Sequence, residues 1–110
     1  MQDFNVSLSP REAMEMINHG IVNGSITGEC IDEYVNDMGN GTMVVFMVFE
    51  KHYYRTGNRL TLTVVVDNLS GRTHVHTAGG GGGEGFFRFD WGASDSFENC
   101  VSNILGKYII

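Results

Sequence analysis

Four side chains that can bind metal ions or transfer protons are predicted to share one face of a β-sheet. His74 and His76 lie two positions apart, so both point to the same side of their strand. A hairpin with a two- or four-residue loop pairs positions whose numbers sum to an odd value, which brings Glu50 and His52 to that side. Imidazole and carboxylate groups together suit zinc or iron, and imidazole also serves general acid–base chemistry. A polar sheet face turned to water has the same composition, and we favour that interpretation over a metal site.

A second candidate site is the glycine run Gly79–Gly85 together with the aromatic residues that follow it. Consecutive glycines expose backbone N–H groups that can cradle an anion, but no Lys-Ser/Thr pair follows this run and it does not lead directly into a helix. We therefore interpret the run mainly as a flexible connector. If the protein has a pocket for a small apolar or acidic ligand, we expect it beside this run, between the core face of the sheet and the C-terminal helix. Its predicted walls are Gly80, Gly82, Gly85, Phe87, Arg88, Phe89 and Trp91 on one side and Phe97, Val101 and Tyr108 on the other.

The elements that must position these residues begin with strands, which are indicated by alternating apolar and polar side chains. Predicted strands cover Asp3–Leu8, Thr42–Tyr54, Arg59–Asp67, Arg72–Ala78 and Phe86–Trp91. The segment from Ser25 to Asn36 mixes both parities, which indicates either a β-bulge or a strand buried on both faces. The glycine run is predicted to interrupt the sheet. Parity places one apolar set on the core face: Met43, Val45, Met47, Phe49, Leu60, Leu62, Val64, Val66 and Val75.

Two helices are predicted, one after the first strand and one at the C-terminus. Ser9 and Glu12 have the spacing of a capping box, and Pro10 occupies the first helical position, where its missing N–H costs nothing. The apolar stripe of this helix is Ala13, Met14, Ile17 and Ile21. Ser94 or Asp95 is predicted to cap the second helix, whose stripe is Phe97, Val101, Ile104, Leu105 and Tyr108.

These elements predict an α+β domain in which an antiparallel sheet of five to six strands carries two helices on one face, in the order β-α-β-β-β-β-β-α. We expect a single domain over residues 1–110. The topology resembles a reduced form of the helix-grip fold, in which a curved sheet wraps a long C-terminal helix. The phrases RTGNRLTLTV and FRFDWGASDSF resemble a small bacterial family of unknown function, and that resemblance implies no activity.

Composition narrows the class of protein. The chain has 110 residues and a formal charge of −6, and its seven basic residues are scattered, which argues against a nucleic-acid partner. No window approaches the roughly 18 apolar residues of a membrane helix, and the N-terminus does not have the pattern of a signal peptide. Cys30 and Cys100 each fall on an apolar pattern; a disulfide between them is one interpretation, and we favour two buried free thiols in a reducing compartment. We therefore expect a cytoplasmic protein.

The outer face of the predicted sheet carries apolar residues among its polar ones, namely Phe46, Val48 and Val65. Face-to-face pairing of two copies is the simplest explanation, and a covering segment of the same chain is the rival explanation. Our leading hypothesis is a small ligand-binding or protein-interaction domain that forms a homodimer and needs no cofactor or catalysis. The alternative is a metal-binding protein or enzyme that uses Glu50, His52, His74 and His76.

Overall fold

The protein folds as one antiparallel sheet with two helices against it. The computed structural model describes residues 1–24, 28–53, 58–81 and 93–110. In chain order the elements are β1 (Gln2–Val6), α1 (Pro10–Gly24), β2 (Gly28–Asp37), β3 (Met43–Tyr53), β4 (Asn58–Asp67), β5 (Thr73–Gly81) and α2 (Ala93–Ile104), followed by a 3-10 turn (Gly106–Tyr108). The predicted α+β class is confirmed. The predicted strand Phe86–Trp91 lies outside the described residues.

The sheet has the strand order β1-β5-β4-β3-β2, and every neighbouring pair is antiparallel. Phe46 pairs with Val65 and Phe49 with Leu62, while Val66 pairs with Val75 across the next hairpin. These registers confirm the parity argument, so the two faces of the hairpin strands carry the predicted sets of side chains. The first strand in the chain lies at one edge of this sheet and pairs with β5.

The hydrophobic core lies between one face of this sheet and both helices. Its side chains are largely or fully buried in a single cluster: Val6, Ala13, Met14, Ile17, Ile21, Met43, Val45, Met47, Phe49, Leu60, Leu62, Val64, Val66, Val75, Phe97, Val101 and Leu105. All nine strand residues predicted for the core face belong to it. We call the opposite surface of β1–β5 the outer face.

Helix α1 begins as its capping box predicts. The Ser9 N–H donates to Glu12 Oε1 at 3.0 Å, and the Glu12 N–H donates to Ser9 Oγ at 3.2 Å. Pro10 is the first helical residue. The reciprocal bonds satisfy two backbone donors that the helix itself leaves unpaired, which is why the chain turns into a helix here.

Helix α2 begins at Ala93, before both of the residues predicted to cap it. Ser94 and Asp95 therefore belong to its first turn, and the predicted cap is wrong. Short polar and acidic residues are as compatible with the first helical turn as with the capping position, because both lie in the positive field of the helix N-terminus. In the predicted stripe, Phe97, Val101 and Leu105 are buried, and Ile104 and Tyr108 pack against the cluster from its edge. The helix ends at Ile104, before the predicted stripe does, and Tyr108 lies in the 3-10 turn.

Strand β2 contains the irregularity that its mixed parity indicated. Cys30 pairs with Phe49 and Asp32 with Val48, so Ile31 has no partner on β3. The Ile31 side chain is 49% exposed, as expected for an extra residue pushed out of the ladder. Of the two explanations for this segment, the β-bulge is confirmed.

The glycine run does not interrupt the sheet where we predicted. Gly79, Gly80 and Gly81 continue β5 and pair with Leu62, Thr61 and Leu60 of β4. Glycine is a poor strand residue, yet β4 presents unbroken backbone partners opposite it, and the ladder extends through the run's first three positions. Residues 82–85 lie outside the described residues.

The C-terminal segment runs along the free edge of β1. Val6 forms an antiparallel bridge with Ile109, and the Ser7 N–H donates to the Tyr108 carbonyl at 2.9 Å. The Ile110 N–H donates to the Asn5 carbonyl at 3.0 Å. These bonds hold the 3-10 turn against the start of the chain.

Candidate functional site

The four residues of the predicted metal set lie on the outer face but do not come together. Glu50 pairs with Thr61, and His52, two positions further along β3, pairs with Arg59 near one end of that strand. His76 lies in the row of Phe46, four positions from Glu50 along β3, which corresponds to about 13 Å at roughly 3.3 Å per residue. The four side chains share the predicted face but are spread along it, because parity assigns a face and says nothing of position along the strand. Among the described residues no group of three or more His, Cys, Asp or Glu is arranged to hold a metal ion.

The two histidines of β5 instead meet two residues of β1. Asp3 Oδ1 accepts hydrogen bonds from His76 Nδ1 at 2.7 Å and from His74 Nε2 at 3.0 Å. His74 Nδ1 lies 2.8 Å from the Asn5 side-chain amide, at Oδ1. The β1–β5 register explains the group, since Asp3 pairs with His76 and Asn5 with His74. We call these four residues the β1–β5 polar cluster.

In this cluster a carboxylate fixes the orientation of two imidazole rings. The hydrogen bonds that Asp3 accepts from His74 and His76 hold the pKa of the Asp3 carboxyl below its ordinary value, so the carboxylate stays ionised. With Nδ1 bonded to Asp3, the neutral His76 ring keeps its proton on that nitrogen and presents Nε2 as a base. The side chains of His74, His76 and Asp3 are 34%, 36% and 49% exposed, so the cluster lies open at the sheet surface.

A contiguous apolar set occupies the middle of the outer face. Tyr34, Phe46 and Val65 lie in one cross-strand row over β2, β3 and β4. Val44 and Val48 lie on either side of Phe46 on β3, two positions away in each direction. Tyr34 is 60% exposed, and the other four remain partly accessible. Both helices bury their apolar stripes on the other side of the sheet, so this apolar row faces away from the core.

Polar groups border the apolar row on two sides. Arg59 Nη1 lies 3.7 Å from Glu50 Oε1, which is four positions from Phe46 along β3, and His76 continues the row beyond Val65 toward β1. An apolar centre with a polar margin is the general arrangement of a protein-interaction surface.

A separate groove of about 490 Å³ lies on the helix side, between α1 and the C-terminal segment. Its lining residues are Leu8, Glu12, Glu15, Met16, His19, Gly20, Ile104 and Tyr108. The sequence did not predict it, because its two walls are about ninety positions apart in the chain and come together only in the folded structure, where Ile104 lies against Gly20.

Only some of the residues predicted to line a pocket beside the glycine run lie in the part of the chain that the structure describes. Gly80 lies on the outer face, where a β-carbon would come within 3.2 Å of Thr61 Oγ1. Phe97 and Val101, predicted to line the opposite wall, are buried in the core, and Tyr108 lines the groove instead. The remaining wall residues, Gly82, Gly85, Phe87, Arg88, Phe89 and Trp91, lie outside the described residues.

The fold and its surfaces define a two-layer α+β domain with helices on one side of the sheet and an apolar row on the other. The chain belongs to DUF6054, a family of unknown function, whose model matches residues 1–109. No curated protein and no solved structure matches it. Within the part of the chain that the structure describes, no helix is long and apolar enough to cross a membrane.

Proposed function

We propose that this protein is a small cytoplasmic interaction domain that forms a homodimer by packing the outer faces of two sheets together. The observation that carries the proposal is the row of Tyr34, Phe46 and Val65, bordered by Val44 and Val48. Contiguous apolar surface on a folded domain favours association, because burying it removes it from water.

Sheet geometry suits this mode of pairing. Two sheets pack face to face about 10 Å apart through interdigitating side chains, with strands crossing at about 30°. Large and small side chains alternate around Phe46, since Val44 and Val48 flank it along β3 and Val65 lies across from it. The same patch on a second copy can therefore fill the spaces between these side chains, as a two-fold interface requires.

The cysteines support the cytoplasmic part of the proposal. Cys30 and Cys100 are free and half-buried. Burial raises the pKa of the Cys30 thiol, which therefore stays protonated and unreactive. Structural thiols of this kind persist in reducing compartments.

Sedimentation velocity on matched lysine variants tests the dimer. Val48→Lys places a charge in the middle of the apolar row, and we expect it to convert a dimer at micromolar concentration into a monomer with an unchanged circular dichroism spectrum. Asn103→Lys adds the same charge to the exposed side of α2 and should leave the dimer intact.

Two results would contradict the proposal. A wild-type protein that sediments as a monomer at micromolar concentration would favour the rival explanation, in which the same chain covers its own outer face. A dimer that survives Val48→Lys would place the interface elsewhere.

A further inference from the structure

The groove between α1 and the C-terminal segment combines an apolar floor with an acidic rim. Leu8, Met16, Ile104 and Tyr108 supply apolar surface that packs around the main core without belonging to its buried centre. Gly20 contributes bare backbone to the floor, and the missing side chain lets Ile104 lie against α1.

The rim carries negative charge. Glu12 and Glu15 both line the groove, and its described lining includes neither lysine nor arginine. The Ser9 backbone N–H, followed by the Ser9 side chain, holds the pKa of the Glu12 carboxyl below its ordinary value, so this carboxylate stays ionised in mildly acidic solution. His19, the remaining polar lining residue, has its Nδ1 atom 3.0 Å from Asn23 Nδ2, which donates to it when the ring is neutral.

The aromatic ring of the groove already attracts an ammonium group. Lys107 Nζ lies 5.3 Å from the centroid of the Tyr108 ring, within the range of a cation–π contact. Because Lys107 already occupies that contact, a ligand ammonium in the groove would be attracted by the carboxylates of Glu12 and Glu15, whereas a ligand carboxylate would be repelled by them.

We propose that this groove binds a small organic cation with an apolar tail, of the alkylammonium class. The tail would lie along Leu8, Met16 and Ile104, and the ammonium group would lie at the rim between Glu12 and Glu15. A volume of about 490 Å³ is in the range of small-molecule sites, which is why we infer a small ligand and not a peptide. This site is on the opposite side of the sheet from the proposed dimer interface and does not depend on it.

Three eight-carbon ligands that differ only in their head group test the charge argument: octylammonium, octanol and octanoate. Titration is followed by amide chemical shifts in ¹⁵N-labelled full-length protein. We expect octylammonium to shift the amides of Gly20, Ile104 and Tyr108, octanol to shift them at higher concentration, and octanoate to leave them unchanged.

Two variants locate the site. Glu15→Gln removes one rim charge and should weaken octylammonium binding about threefold to fivefold, as expected for an exposed ion pair. Met16→Lys places a tethered alkylammonium in the groove and should abolish binding. Glu33→Gln removes another exposed carboxylate, on β2 and outside the groove, and should change nothing.

Equal binding of octanoate and octylammonium would overturn the proposal, as would octylammonium shifts confined to the outer face. Loss of affinity in Glu33→Gln as large as in Glu15→Gln would show a response to net charge alone and would also overturn it. Thermal unfolding of each variant establishes that the fold is retained. None of these results changes with the sedimentation behaviour that tests the dimer.

Discussion

The two faces of strand β3 carry similar side chains in different surroundings. Val45, Met47 and Phe49 are fully buried, whereas Phe46 and Val48 between them remain partly accessible. Both sets are apolar, so hydrophobicity alone does not decide which face becomes the core. The helices decide it, because their stripes, including Ile17 and Val101, need a partner and find it on one face only. The second apolar set is then left outside the core.

The largest expected difference between the faces is in stability. Phe49→Ala should lower the free energy of unfolding by about 3–5 kcal/mol, since it leaves a cavity in a packed core. Phe46→Ala should lower it by only about 1 kcal/mol, since the side chain is already partly in water. Urea unfolding measures both, in a Val48→Lys background so that self-association does not contribute. Equal losses would mean that Phe46 is covered by its own chain.

A smaller effect tests how closely the core side is packed. A β-carbon on Gly20 would lie 2.5 Å from Ile104 Cδ1 and 2.7 Å from Cγ1, so Gly20→Ala forces the Ile104 side chain to move. Overpacking costs about 1–3 kcal/mol and better helix propensity returns about 1 kcal/mol, so we expect a net loss of up to about 2 kcal/mol.

Gly24→Ala is the matched control, because a β-carbon there meets no atom within 4 Å in the described chain. It should change stability by less than about 0.5 kcal/mol. Shortening the obstructing side chain, with Gly20→Ala and Ile104→Ala together, should make the Gly20 change less costly than it is alone. Additive losses in the double variant would show that the contact is not responsible.

The smallest expected effect is that of the Asp3 carboxylate in the β1–β5 polar cluster, and it is recognised by the dependence of stability on pH. The folded state lowers the pKa of Asp3, chiefly through His74 and then His76, so the folded state binds fewer protons than the unfolded chain. Its contribution to stability is therefore present above the unfolded pKa of about 3.9 and is lost as the pH falls through the lower folded value.

Urea midpoints measured from pH 7 to pH 2.5 test this dependence. Asp3→Asn should be less stable than wild type at pH 7, and the gap should close as the pH falls through and below pH 4. Asp32→Asn alters another exposed aspartate of the outer face, beyond the β1–β5 polar cluster, and provides the comparison. A gap that stays constant with pH would show that the carboxylate charge of Asp3 is not what stabilises the fold.

Local patterns predicted most of the fold. The Ser9–Glu12 capping box is confirmed because both of its partners lie within one helical turn. The assignment of residues to the two faces of the hairpins is confirmed, because a short loop restricts which positions can pair, as the pairing of Phe46 with Val65 shows. The bulge at Ile31 stayed undecided because mixed parity arises equally from an extra residue and from burial on both sides.

Contacts between distant segments account for the failures. No pattern near His74 and His76 showed that β1 would supply Asp3 and Asn5, although those two residues share the polar parity of their own strand. Glycine propensity argued against a strand at Gly79–Gly81, and the neighbouring strand outweighed it. The helix-grip resemblance, the homodimer and the absence of catalysis stay predictions.

The hydrogen bonds from the C-terminal segment to β1 have a consequence for assembly. An exposed sheet edge is a template for strand addition, and repeated addition produces fibres that have no natural end. Here Tyr108, Ile109 and Ile110 already occupy the backbone groups of β1 around Asn5, Val6 and Ser7. Strand addition at this part of the β1 edge is therefore blocked. The C-terminal segment thus protects one of the two edges of the described sheet from strand addition, and β2 forms the other edge.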